Sequence, residues 1–318
     1  LSLVDLGGGT YQIDVHDMGI PERTAVYVLR GERTALIESG PTPGASYVLA
    51  GLKALGVRPE EVDYIVVTHI HLDHAGGSGY LLKQLPNARV YVHAKGARHL
   101  NDPSRLIAGA REIYGADFER FFGEVVPVPA DRLHSPADGE TLDLGGRVLT
   151  FYDTPGHAPH CLSVYDSATR GVFPGDAAGI RFYSLVEKCG LEFLLPSAVP
   201  PQFEPEAAIA SARRLRALEP DYVYFTHFGR AAGAVELLDR YCDLVRQMTA
   251  MMQSVIEAGG DWPAVRHRYR EWISSELLPP DCQPDPQNLA FDLDLNSMGL
   301  YQYLKSRKDY GQNASPAR

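Results

Sequence analysis

His69, His71, Asp73 and His74, in the run Val66-Val67-Thr68-His69-Ile70-His71-Leu72-Asp73-His74, pack three imidazoles and a carboxylate into six positions after a short apolar stretch. Neutral imidazole and carboxylate oxygen are ligands of borderline-soft divalent ions, and a two-metal hydrolytic centre needs a dense supply of both. The plain alternative is a solvated polar loop. Crowded imidazoles, however, repel one another as they protonate and have no packing purpose, and this clustering is denser than the ligand spacings from which metal sites are usually argued. The residues read as a metal site. Two dications there would bring the pKa of a bound water from about 15.7 towards 7 and hold the hydroxide for attack on a polarised carbonyl or phosphorus, with no protein nucleophile.

Further candidate ligands occur in the same setting. Val148 to Tyr152 leads into Asp153-Thr154-Pro155-Gly156-His157, Gly171 to Pro174 into Gly175-Asp176, and Tyr222 to Thr226 into His227-Phe228-Gly229. Each follows an apolar, strand-like run. Loops held at the ends of buried strands carry functional groups with little positional freedom, as two ions about 3.5–4 Å apart require. The recurrence predicts one converging site.

On these residues the chain resembles the metallo-β-lactamase superfamily of metal-dependent hydrolases. The His-x-His-x-Asp-His signature, with His157, Asp176 and His227 downstream, carries the resemblance, which spans about residues 35 to 230. Position by position, the resemblance implies one metal on His69, His71 and His157, a second on Asp73, His74 and His227, and Asp176 bridging both. Asp73 is then a ligand that also positions the attacking hydroxide, and neither carboxylate is a general acid or base. The implied cofactors are two divalent ions, zinc first, with iron or manganese open because availability and geometry also decide occupancy. The implied fold is α+β, an αββα sandwich of two mixed sheets between outer helices, here with a C-terminal helical extension.

Departures from the family bear on the branch. Many members carry Asp where Ile37-Glu38-Ser39-Gly40 has Glu38, which puts in doubt the support this position gives to the ligands. The lactonase branch typically has Tyr three residues after the bridging Asp, where this chain has Gly179. The metal motif is similar to that of glyoxalase II, but Phe228-Gly229 replace the usual Glu-Tyr pairing, so glutathione thioester specificity does not follow. His71 separates the chain from the flavodiiron oxygen reductases, which place Glu there.

The elements that position the ligands follow from periodicity. Period-two apolar runs predict strands at Tyr11 to Val15, Ala25 to Leu29 and Thr34 to Ile37, with Val62 to Val67 and Arg89 to Val92 flanking the signature. A helix after Pro43 carries Val48, Leu49, Leu52 and Leu55 on one face, and Gly56 closes it. Residues 102–123, with Leu106, Ile107, Ile113, Tyr114, Phe118, Phe121 and Phe122, read as a core-facing helix rather than a substrate wall. Residues 180–203 follow Asp176 as a long irregular connection, and such loops beside a site are usually functional. Arg181, Tyr183 and Lys188 are its candidate substrate-binding residues.

Residues 1–230 are thus expected to form the catalytic domain and 231–318 a helical extension packed on it. Leu237 to Val255 recur at helical spacing, with the methionines as core filler, and Asp261 and Pro263 start a further helix. Arg266-His267-Arg268-Tyr269-Arg270 reads as a solvated face. Leu278 to Pro286 reads as a connector and Asn296 to Lys305 as a last helix. His16, His99, His134 and His267 read as surface or locally bonded residues, whereas His93 and His160 are placed to orient ligands.

Composition fits a globular enzyme: 318 residues, 45% of them hydrophobic. No stretch approaches the ~18–20 apolar residues that span a bilayer. The opening Leu1 to Gly9 lacks the basic start and apolar middle of a secretory signal, although a first residue other than Met leaves upstream processing open. Cys161, Cys189, Cys242 and Cys282 form no Cys-x-x-Cys pair and read as free thiols of a reducing, cytoplasmic compartment, Cys161 as a buried residue rather than a soft ligand. A net charge of −10 opposes a broad nucleic-acid surface, which needs clustered Lys and Arg. The expected partner is a small ester, thioester or lactone, with a homo-oligomer left open. A phosphodiesterase or ribonuclease, and a non-hydrolytic diiron oxygen-binding or redox protein, are the alternatives.

Overall fold

Strands β1 (Leu3–Asp5), β2 (Thr10–Asp14), β3 (Ala25–Arg30), β4 (Thr34–Ile37), β5 (Val62–Val66), β6 (Arg89–Tyr91) and β7 (Leu133–His134) lie side by side in sequence order. Pairing is antiparallel up to β4 and parallel from β4 onward. A computed structural model describes residues 2–282 and 286–313 of the chain. The second sheet begins with β8 (Thr141–Asp143), β9 (Val148–Asp153), β10 (Leu162–Asp166) and β11 (Gly171–Phe173). After a two-stranded ribbon, β12 (Ile180–Arg181) with β13 (Leu194–Leu195), the strands β14 (Tyr222–Phe225) and β15 (Gly229–Ala232) complete that sheet in the order β15-β14-β11-β10-β9-β8.

Alternation along the strands sets the layers, because successive side chains point to opposite faces. From β3, Val26 and Val28 join Val48 and Leu52 of α1 (Ala45–Ala54) and, beyond the short α2 (Leu72–Ala75), Leu81 of α3 (Ser78–Gln84). Ala25, Tyr27 and Leu29 enter a second core with Phe151, Val164, Phe173 and Tyr224 of the other sheet. Tyr27 stands edge-on to Phe173 and Tyr224, and its hydroxyl donates to the Phe225 carbonyl at 2.5 Å, tying the two sheets together. On the far side, Val223 and Phe225 of β14 face helices instead. The expected αββα sandwich is the fold observed.

Between β6 and β7 the chain forms α4 (Ala94–Asn101), α5 (Ser104–Tyr114) and α6 (Phe118–Phe122); α7 (Tyr183–Cys189) and α8 (Pro205–Arg216) follow later. The C-terminal helices are α9 (Ala234–Glu257), α10 (Trp262–Glu271) and α11 (Pro286–Asn313). Leu238, Tyr241, Val245, Met248 and Met252 of α9 share one core with Val172, Val223 and Phe225 of the second sheet. Asp261 caps α10 by accepting from the Ala264 N–H. Arg266 and Arg270 are paired with Asp294 of α11, so that basic cluster is tied to a neighbouring helix rather than merely solvated. The last helix is longer than its periodicity predicts, because Pro286 at its first turn is compatible with helix and starts it early. Residues 283–285 of the expected connector lie outside the described residues.

The free-thiol reading is corrected at two positions. Cys189, ending α7, and Cys282 form a disulfide with Cα atoms 6.1 Å apart, although 93 residues separate them in sequence. Their pairing depends on the docking of the C-terminal segment, which no local spacing reveals, and it removes the thiol argument for a reducing compartment. Cys161 and Cys242 are free and buried. Among the described residues, no helix is long and apolar enough to cross a membrane.

Because α9 shares its core with the second sheet, its loss of packing should be felt by the whole chain. Leu238→Ala, at a 1% exposed position, is expected to cost ~2–5 kcal/mol. Denaturant unfolding followed by circular dichroism and by tryptophan fluorescence should move as one transition. Two separated transitions would mark the extension as an independently folding unit.

Candidate metal centre

All the candidate ligands sit just beyond the carboxyl ends of strands: His69, His71, Asp73 and His74 after β5, His157 after β9, Asp176 after β11 and His227 after β14. Strands β9, β11 and β14 run in one direction, since β10 is antiparallel to both β9 and β11, and β14 is parallel to β11. Their ends open on one edge of the sandwich. Gly175 is required there: its φ is +55°, and a Cβ would lie 2.2 Å from the Thr68 hydroxyl oxygen. Glycine lets Asp176 turn inward against the signature loop.

The ligand atoms form two groups. His69 Nε2 lies 3.1 Å from His71 Nδ1, which lies 2.9 Å from His157 Nε2. In the other group His74 Nε2 and His227 Nε2 are 3.2 Å apart, and Asp73 Oδ2 is 3.5 and 3.3 Å from them. Asp176 joins the groups, with Oδ2 3.6 Å from His157 Nε2 and Oδ1 3.3 and 3.5 Å from the Nε2 atoms of His74 and His227. Within each triad, His69–His71–His157 or Asp73–His74–His227, the ligand atoms lie within 4.8 Å of one another. Buried Asp176 Oδ1 has no hydrogen-bond partner. Facing imidazole nitrogens and an unsatisfied carboxylate oxygen fit a pair of divalent ions, which would take up lone pairs that protein donors leave unused.

Electrostatics distinguish the two groups. Burial, reinforced by neighbouring imidazoles, holds His69 and His71 well below the ordinary histidine range, so their nitrogens keep the lone pairs a metal needs. Burial also opposes charge on His74 and His227, but Asp73 and Asp176 outweigh it and raise both. Burial pushes Asp176 up, yet His74, His157 and His227 hold its carboxyl well below the usual range. The carboxylate stays ionised.

The candidate ligands are oriented from behind. Glu38 is fully buried at φ +69°. Its Oε1 is 3.0 Å from His74 Nδ1 and accepts from the hydroxyls of Thr68 (2.5 Å) and Thr226 (3.2 Å), while Oε2 accepts from the Thr68 N–H. The doubt raised by Glu in place of Asp is thereby resolved in favour of support. The longer side chain spans the gap. His157 Nδ1 is 2.8 Å from the Ser197 carbonyl, and the Ser197 hydroxyl donates to Asp176 Oδ2 at 2.8 Å. His227 Nδ1 is 3.0 Å from the Arg23 carbonyl. Ser197 and Arg23 carried no signal in the sequence, because a backbone carbonyl can come from any residue type.

His93 and His160 take other places. His93 caps α4 through the Lys95 N–H and sits 3.4 Å from Asp153. His160 is 6% exposed, its Nδ1 has no partner, and its ring centroid lies 5.8 Å from that of His71. It packs beside a ligand without holding it by a hydrogen bond. Cys161 is outside the ligand groups, and burial pushes its thiol up.

The site opens into a cavity of about 600 Å³ on which His71, Asp73, Asp176 and His227 border. Leu106, Ala110, Ile113 and Tyr114 of α5 line it, and no residue of that helix is fully buried. The core-facing reading of 102–123 holds for Phe118 and Phe122 of α6 and in part for α5, whose Leu106, Ile107, Ala110 and Tyr114 pack against that small cluster while the helix also lines the cavity. An apolar stripe does not say whether it faces core or cavity. From 180–203, Ile180, Ser197, Val199, Pro200, Pro201 and Gln202 line the space. Arg181 is paired with Glu192, donates to the Phe228 carbonyl at 3.0 Å and lies over the Tyr183 ring. Arg181 and Tyr183 line a small adjoining cavity that shares Arg23, Ile180, His227 and Asp292 with the large one, and Lys188 is exposed and lines neither.

A family model for the metallo-beta-lactamase superfamily matches residues 19–227. A metallo-beta-lactamase fold-containing protein of Sulfurisphaera tokodaii is 30% identical over 225 residues, 70% of this chain and 78% of that protein. Glyoxylase B2 of Dictyostelium discoideum is 30% identical over 135 residues, 42% of this chain and 41% of that one. A putative diflavin flavoprotein of Thermosynechococcus vestitus is 24% identical over 251 residues, 78% of this chain but 35% of its own length. In three dimensions the chain is similar to a superfamily protein from Thermus thermophilus, with TM-score 0.69, 21% identity and coverage of 96% and 95%. At that identity the likeness shows the fold.

Glu38 reaches the His74 ring directly and His69 through Thr68, whose hydroxyl oxygen is 3.1 Å from His69 Nδ1. Loss of such an orienting group typically costs ~10–100-fold in metal affinity. Glu38→Gln is expected to weaken zinc binding by that order in chelator competition while the protein remains folded by circular dichroism. Unchanged affinity would show that Glu38 supports the fold alone.

Proposed function

The chain belongs to the metallo-β-lactamase superfamily, and from that premise we propose a dinuclear metal-dependent hydrolase acting on a small ester, thioester or lactone. The observation that carries the proposal is Asp176, with one carboxylate oxygen facing each ligand group. His69, His71 and His157 would hold one ion, and Asp73, His74 and His227 the other. Imidazole and carboxylate donors suit zinc and also accept iron or manganese. Two such ions lower the pKa of water and polarise a carbonyl.

The chain's own groups support hydrolysis without a covalent intermediate. Ser197, the serine bordering the cavity among the described residues, has its hydroxyl committed to Asp176 and its carbonyl beside His157. Asp73, with a side chain 21% exposed, is the ligand carboxylate more open to the cavity and is placed to orient an attacking water. Glyoxylase B2 as a relative favours the hydrolytic reading. His71, an imidazole where the flavodiiron branch has Glu, favours it over the redox chemistry suggested by the diflavin relative.

The test is a hydrolase panel on protein loaded separately with zinc, manganese and iron. Turnover of acyl esters, thioesters or lactones is expected, and Asp176→Ala should lower both metal content and turnover, the latter by about a hundredfold or more. Salt-sensitive nuclease activity abolished by His69→Ala, without acyl hydrolysis, would establish the phosphodiesterase alternative. An iron protein with an oxygen-sensitive spectrum and no hydrolysis would establish the redox one.

A further inference from the structure

The large cavity carries an apolar set, Ile70 and Leu72 from the signature loop, Ile180 and Val199 from the following connection and Leu295 from α11, beside polar Ser197, His160 and the Arg23–Asp292 pair. Two cationic side chains line it among the described residues, Arg23 and Arg105. Arg23 is committed to carboxylates: two guanidinium nitrogens lie 3.2 and 2.9 Å from Asp292, and Nε lies 3.4 Å from Asp17 without a hydrogen bond of its own. Arg105 is exposed on α5. Apart from the ions themselves, the protein wall thus offers an anionic substituent Arg105 on exposed α5 and no other unpaired Lys or Arg among the described residues, whereas the apolar side chains would cover an aliphatic group. Resting on the hydrolase reading above, we propose that the substrate is a neutral ester, thioester or lactone with an apolar acyl group, held between α5, residues 196–202 and α11.

A series of p-nitrophenyl acetate, butyrate and octanoate on metal-loaded protein tests this. Burial of each methylene is worth about fourfold in affinity, so kcat/KM should climb about a hundredfold or more from acetate to octanoate. Ile113→Asp, at a wall position 43% exposed and so tolerant of charge, should cut the octanoate-to-acetate preference about tenfold, through KM. Calorimetry on metal-free protein should show 2-undecanone binding and phenyl phosphate not binding. A flat chain-length profile, or an Ile113→Asp variant with the wild-type preference, would overturn the acyl assignment. Absence of turnover for every ester, with metal bound, would instead overturn the hydrolase reading.

A separate set of contacts concerns α11. Asn296, 1% exposed, accepts from the Ala198 N–H at 2.7 Å, and Ser197 next to it holds both His157 and Asp176. Gly299 lets the helix approach this closely, since a Cβ there would lie 1.9 Å from the Ala198 carbonyl oxygen. One turn away, Asp292 grips Arg23, whose carbonyl faces His227 Nδ1. The geometry points to α11 as a positioning element for both ligand groups, acting through Ser197 on one side and Arg23 on the other.

Asn296→Ala is expected to weaken metal affinity about tenfold and to alter the visible bands of the cobalt-substituted protein. Asn296→Asp, which keeps the acceptor oxygen, should restore the bands. Leu293→Ala, in the same helix and core, is the stability control and should lower the melting temperature with the bands unchanged. Wild-type bands and affinity in Asn296→Ala, or equal perturbation by Leu293→Ala, would overturn the positioning role. Should Asn296→Ala fail to fold, the Asp292→Asn variant decides the matter through the same two readouts. A wild-type protein that binds no dication would overturn the ligand assignment itself.

Discussion

A buried carboxylate shared by two sets of imidazoles is the interaction on which the rest of the structure depends. Removing a charge from water is expensive unless it is paired and hydrogen-bonded. Asp176, 4% exposed, is surrounded by His74, His157, His227 and the Ser197 hydroxyl, each from a different part of the chain. Bringing these groups together requires four strand ends to hold fixed positions. The inter-sheet core supplies that rigidity: Tyr27 wedges against Phe173 and Tyr224, residues of β11 and β14 that lead into the Asp176 and His227 loops. Packing and electrostatics are thus one constraint, because a loosened sandwich would leave the charge uncompensated.

The convergence of the candidate ligands was legible in the sequence because each follows an apolar strand-like run and four of them are local to six positions. The sandwich was legible for a similar reason, strands such as β3 alternating between two apolar surfaces. What could not be read was long-range. Glu38 is recognisable as an orienting group only once Thr68, His74 and Thr226 surround it, and Cys189 and Cys282 only once the C-terminal segment docks. The stripe on α5 was visible as apolar, but hydrophobic periodicity reports that a face avoids water, not whether protein or ligand covers it. Arg181 reads in the sequence as a free cation after Asp176, whereas in the fold Glu192 and the Phe228 carbonyl engage its guanidinium.

The division of labour between elements follows from these distances. Groups that must face one another within a few ångströms come from strand ends and their immediate loops, where backbone freedom is least. Groups that shape the space beyond come from helices and a connection appended to the sandwich: α5, residues 196–202 and α11. Such walls can vary in size and polarity without disturbing the sheets, which is why one fold hosts many substrates and why fold alone assigns none. In this chain the separation is incomplete. Residues 197 and 198 belong to the wall, yet Ser197 touches His157 and Asp176 while Ala198 is held by α11. A change in the wall that moved this backbone would also move His157 and Asp176, so the shape of the cavity is coupled to the geometry of the candidate metal centre.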